Sequence, residues 1–153
     1  MDRTHAIVER LAANEEKVME LYSVFGDIFP EYRQFWKDIS EEEKRHASML
    51  REFGTLVDDK DIKLDLDHIK MELLEKSISF LSGEIDSAKN RGMDCKQAFK
   101  LARTLEKGIV ESECFKIFNT NVKDLVKLFG LLQADTQRHC QMMDEKCEII
   151  CKE

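Results

Sequence analysis

The chain has 153 residues, of which 36% are charged and 42% hydrophobic, a balance that suits one soluble domain with a real core and excludes a disordered chain. Its formal net charge of -7 argues against a phosphate-backbone partner, so nucleic acid is not expected. No apolar run approaches the roughly 20 residues that cross a bilayer, so no membrane partner is expected either.

The opening stretch MDRTHAIVERLAANEE contains no signal-peptide core, which makes the cytoplasm the expected compartment. Only 1 Pro and 6 Gly interrupt the chain, so long helices are expected. Helical periodicity places the first helix from about Thr4 to about Asp27, with Ile7, Leu11, Val18, Tyr22 and Phe25 as its apolar stripe. Pro30 suits a helix start, and the second helix is expected from there to about Leu56, with Phe35, Ile39, Leu50 and Phe53 on one face. A polar connection, VDDKDIKLDLD, leads to a third helix from about Leu66 to Asn90, whose apolar positions are Ile69, Leu73, Ile78, Leu81 and Ile85. RGMD closes that helix, and Asp94 can cap a fourth running from about Cys95 to Phe118. After an NTN turn, the last helix runs from about Val122 to near the C-terminus. The expected organisation over 1–153 is a single all-α domain: two helical hairpins joined by a long crossover that carries its own helix. Helices with short links pack antiparallel, so the hairpins are expected to share one four-helix core.

Several polar residues fall on the apolar stripes. In the second helix the line reads Ile39, Glu43, His46, Leu50, Phe53, in alternating steps of four and three. In the first helix Glu15 stands four after Leu11 and three before Val18, with Glu16 competing for the inward position. In the fourth, Glu106 lies between Ala102 and Ile109, and Glu113 follows Ile109 by four. In the last, the stripe is Leu125, Phe129, Leu132, Thr136, His139, Met143, Ile150. Buried carboxylates must protonate, pair or bind a cation. Carboxylates and imidazoles brought to one level are well satisfied by a divalent ion such as iron, manganese or zinc. Glu43 and His46 are three apart and therefore neighbours on one helical face. The plainer readings are a solvated face for the charged run EEEKRH and a hydrogen-bonded core histidine at His139.

A repeat supports the inward reading. EEKRHASML and DTQRHCQMM each carry Arg-His with Met three residues after the His. Glu15 and Glu43 are 28 residues apart, and Glu106 and Thr136 are 30 apart, so each half offers a carboxylate from its first helix and a pair three apart from its second. Elsewhere, His5 and His68 are expected at the surface, and Tyr22 and Trp36 in the core. The cysteines Cys95, Cys114, Cys140, Cys147 and Cys151 form no CxxC pair, which argues against a zinc ribbon or a disulfide framework. Near the end of the last helix they read as packing or as a dimer contact, with a thiol redox role as the alternative.

At these residues the chain resembles the ferritin-like superfamily, and most closely its rubrerythrin-type members. NEEKVMELY resembles their first-helix pattern, with an aromatic seven residues after the ligand Glu. EEEKRHASML resembles their second-helix Glu-x-x-His motif. RTLEKGIVESECF and ADTQRHCQMM resemble the third and fourth bundle helices. The resemblance covers the four bundle helices and not Leu66–Asn90. It implies a ferritin-like antiparallel four-helix bundle with a non-haem di-iron site, held by Glu15, Glu43, His46, Glu106 and His139. It implies peroxide reduction or oxidation of ferrous iron, and a homodimer. The family pattern has a Glu where Thr136 stands. Asp135 is one residue, about 100°, away around the helix, whereas Glu113 shares the face of Glu106 and can stand in. The Cys-rich rubredoxin module of full-length rubrerythrins has no counterpart in these residues, so an external electron donor is implied. The alternatives are a degenerate bundle that binds one metal (zinc, manganese or iron) or none, in a structural or sensing role, and a helical interaction module whose Glu and His form a buried network.

Overall fold

The computed structural model describes residues 3–60, 69–111 and 123–150. Among the described residues the chain is all-helical, with no strand: α1 (Arg3–Ile28), α2 (Arg33–Lys60), α3 (Met71–Asn90), α4 (Cys95–Glu111) and α5 (Lys123–Ile150), with a 3-10 turn at Pro30–Tyr32. No described helix is long and apolar enough to cross a membrane. The chain forms two compact units, Met1–Gly92 and Met93–Glu153.

In the first unit α1 and α2 form a tight antiparallel hairpin. Pro30 sits at the start of the 3-10 turn, where its missing N–H costs nothing. The expected α1 stripe is buried throughout: Ile7, Leu11, Val18, Tyr22 and Phe25. The seam is pinned along its length. Near the tip Lys37 Nζ donates to Ser23 O at 3.0 Å and meets Asp27 at 2.7 Å. Midway, Ser40 Oγ donates to Met19 O at 2.8 Å. Further down, the Arg51 guanidinium hydrogen-bonds Glu16 and reaches Glu9 at 3.4 Å. The bond to Glu16 pushes the Arg51 pKa still higher, so its charge is permanent. At Gly54 the helices close to a distance at which an added Cβ would stand 3.1 Å from a Val8 methyl.

Two expectations for this unit shift by one residue. Trp36, not Phe35, leads the buried line of α2, which runs Trp36, Ile39, Glu43, His46, Leu50, Phe53, Val57. Steps of three and four keep those side chains on one stripe, and Phe35 lies about 100° off it. In α3, Leu73 is 60% exposed, because the buried line is Leu81, Ile85 and Ala88, which projects back to Leu74 rather than Leu73. α2 also continues past Leu56 to Lys60, as no Gly or Pro interrupts Val57–Lys60. The third helix begins in the described residues at Met71 and runs parallel to α1, tied by Arg10–Glu75 at 3.6 Å, Ser77–Asn14 at 2.6 Å and Lys89–Glu20 at 3.9 Å. It ends at Asn90, and just beyond the cap residue Arg91 stands Gly92, whose φ of 82° is the left-handed conformation that stops helices.

In the second unit α4 packs against α5. Asp94 caps α4 as expected, in a reciprocal box: Gln97 N donates to Asp94 Oδ1 at 2.8 Å and Asp94 N to Gln97 Oε1 at 3.0 Å. Asp94→Ala should lower stability by about 1 kcal/mol, seen as a lower urea midpoint. The α5 stripe buries Phe129, Leu132, Thr136, His139, Met143, Cys147 and Ile150. Cys95 and Cys140 are half-buried. Glu113, His68, Cys114, Cys151, the NTN turn and the expected helix ends at Leu66, Phe118 and Val122 lie outside the described residues, as do the side chains of Ile109 and Leu125.

Candidate metal centre

The polar residues on the apolar lines are buried as deeply as their apolar neighbours. Relative exposure is 4% for Glu15, 1% for Glu43, His46 and Glu106, 3% for Thr136 and 0% for His139. Each owes its place to helical phase. Leu11 and Val18 flank Glu15 on α1, Ile39 and Leu50 flank the Glu43–His46 pair on α2, and Leu132 and Met143 flank Thr136 and His139 on α5.

The first unit gathers three donors. One ligand atom from each of Glu15, Glu43 and His46 lies within 4.8 Å of the other two. His46 Nδ1 stands 3.3 Å from Glu43 Oε2, one turn along the same helix. Glu16, the competitor for the inward position, points away: its side chain is 44% exposed and is bound by Arg51. In the second unit, among the described residues, Glu106 and His139 come together. His139 Nδ1 lies 3.7 Å from Glu106 Oε1, both fully buried. Thr136 donates its hydroxyl to Leu132 O at 2.8 Å, one turn back on its own helix. Asp135, next to it, turns outward to Arg138 at 3.7 Å.

The triad fits a divalent ion in geometry and charge. A metal bound at about 2.0–2.2 Å holds its ligands roughly 3–4 Å apart, so side-chain rotations of about 1 Å close this set. Two carboxylates balance the charge of a divalent cation and the imidazole adds a neutral donor, a set that suits ferrous iron, manganese or zinc. Without a cation, two carboxylates this close and this buried carry a large desolvation and repulsion penalty. Among the described residues, helical phase missed the buried Ser40, because a serine on an apolar stripe carries no distinctive signal. Its hydroxyl is spent on the α1 backbone.

Compared with protein-family descriptions, with curated proteins and with solved structures, the chain matches none.

Proposed function

We propose that the chain is a metal-binding protein of ferritin-like, rubrerythrin type, in which the α1–α2 and α4–α5 hairpins pair as an antiparallel four-helix bundle within one domain. The observation that carries this reading is the buried Glu15–Glu43–His46 triad, with its donor atoms within 4.8 Å. The buried Glu106 and His139 support it, as the same residue types at the matching phase of a second hairpin. In this reading Glu15, Glu43 and His46 hold one iron, and Glu106 and His139 contribute to a second. An iron pair supplies redox chemistry toward peroxide, dioxygen or further ferrous iron. The protein's part is to fix donor geometry on rigid helices and keep bulk water out with the surrounding apolar lines. An external electron donor, a homodimer and a cytoplasmic setting complete the proposal.

Thr136 favours a second reading, a bundle that holds one metal in a structural or sensing role. Its hydroxyl bonds Leu132 O where the resemblance calls for a carboxylate ligand. Elemental analysis of freshly purified protein tests both. About two iron atoms per chain with turnover of peroxide or ferrous iron support the redox reading. About one metal per chain without turnover supports the second, and metal-free protein whose stability ignores chelator and added iron leaves a helical interaction module.

A further inference from the structure

We propose that the outer face of α3 docks a second copy of this chain, antiparallel about a twofold axis, with Phe80 of each copy seated over Gly83 of the other. This gives a surface to the homodimer named above; it rests on that part of the reading and not on the metal.

α3 buries one side, the line of Leu81, Ile85 and Ala88. On its outer side Leu73 is 60% exposed and Phe80 50%. They are seven residues apart, within about 20° of two full turns, so they stand in one line. Two large apolar side chains aligned on an exposed face mark an interaction surface. Gly83 is exposed on the next turn, and a Cβ added there would meet nothing within 4 Å. Gly54 owes its place to Val8, which fills the space of a side chain, whereas the space over Gly83 is open among the described residues. A glycine inside a helix is unfavourable unless something uses the room it leaves. A pair closed by a twofold axis offers the same patch on both copies, so each feature must find its complement there. With antiparallel helices and the axis at the level of Leu81 and Ser82, Phe80 of one copy stands opposite Gly83 of the other. The ring fills the hollow twice per dimer, and the bare backbone lets the helices approach closely. In that register Lys76 of one copy falls within one residue of the level of Asp86 of the other, on the same flank. Both are exposed, so opposite charges meet twice. A parallel pair would set Lys76 against Lys76 and Asp86 against Asp86, which repel. The face is one helix wide, so the contact belongs to the small, reversible class that buries less than about 1,200 Å².

The test is analytical ultracentrifugation of the full-length chain over a concentration series, with iron and with chelator. The natural chain should show a monomer–dimer equilibrium in both. Phe80→Asp should weaken the dimer by about tenfold or more, as loss of a central aromatic anchor does. Gly83→Leu should weaken it as much by occupying the ring's seat. That variant meets open space in its own copy and improves the helix, so it should melt no lower than the natural chain. Lys76→Asp and Asp86→Lys should each weaken the dimer several-fold, and the double swap should restore it. Far-UV circular dichroism checks that every variant folds. A dimer unchanged in Phe80→Asp and Gly83→Leu would overturn this surface and leave the homodimer standing. Failure of the double swap to recover would overturn the antiparallel register. A natural chain that stays monomeric at every concentration would overturn the surface and the homodimer together, and would leave the metal-binding reading to its own test.

Discussion

Metal-free protein carrying Glu15→Met should be more stable than the natural chain, by about 1–3 kcal/mol, and should gain almost nothing from ferrous iron. The natural chain should show the opposite dependence, gaining about 2.7 kcal/mol when free iron is a hundredfold above its dissociation constant. The sign follows from desolvation. Glu15 is 4% exposed, and its carboxylate shares a volume less than 5 Å across with that of Glu43. An apolar side chain of similar volume, placed between Leu11 and Val18, removes the burial penalty and the repulsion and completes the stripe. It also removes a ligand. Thermal melts with iron and with chelator read both effects at once, at roughly 2–4 °C per kcal/mol for a chain of this size. A large loss of stability in metal-free Glu15→Met, with no response of the natural chain to iron, would mark the triad as a structural hydrogen-bonded network.

Trp36→Ala should be the most damaging single truncation in the first unit, at about 3–5 kcal/mol. Trp36 is fully buried and is the largest such side chain. Its ring meets Phe25 edge-on at 4.9 Å between centroids, Phe35 at 5.2 Å and Tyr22 at 5.3 Å. Aromatic pairs of this kind add about 0.5–1.5 kcal/mol beyond the area they bury. The cluster stands at the tip of the α1–α2 hairpin, so loosening it also frees the two helices that carry Glu15 and the Glu43–His46 pair. Trp36→Ala should therefore weaken binding of ferrous iron as well as lower the urea midpoint, whereas Trp36→Phe, which keeps a ring in place, should cost less on both counts. A loss under about 1 kcal/mol would show that the cluster closes over the gap and that other contacts hold the hairpin.

Much of this was legible from spacing alone, for one physical reason. Steps of three and four residues identify one face of a helix whatever residues occupy it, so a Glu or His in phase with Leu and Ile must share their burial. That is how Glu15, Glu43, His46, Glu106 and His139 stand out in the sequence and lie buried in the structure. The same logic stumbles where apolar residues are adjacent. Phe35 beside Trp36, and Leu73 beside Leu74, leave the phase open by 100°, and only tertiary contact decides it. Glu15 and Glu16 pose the same ambiguity. Arg51 resolves it by drawing Glu16 outward, a long-range partner that no local pattern announces. The end of α2 was misplaced because Asp and Lys are compatible with both a helix and a loop.

The fasteners along the α1–α2 seam carry a further consequence. A slip of one helical turn, about 5.4 Å, exceeds the 4.8 Å within which the three donor atoms of the first unit lie. Lys37, Ser40 and Arg51 act as alignment pins on either side of Glu43 and His46, and they bar such a slide. Insertions or deletions at the tip, around Phe29–Tyr32, leave the keyed length intact. A single added residue between Glu15 and Ser23, or between Lys37 and Arg51, would rotate everything beyond it by about 100° and break the match between pins and donors together. In descendants of this chain the tip can drift in length, while those two stretches are bound to keep theirs.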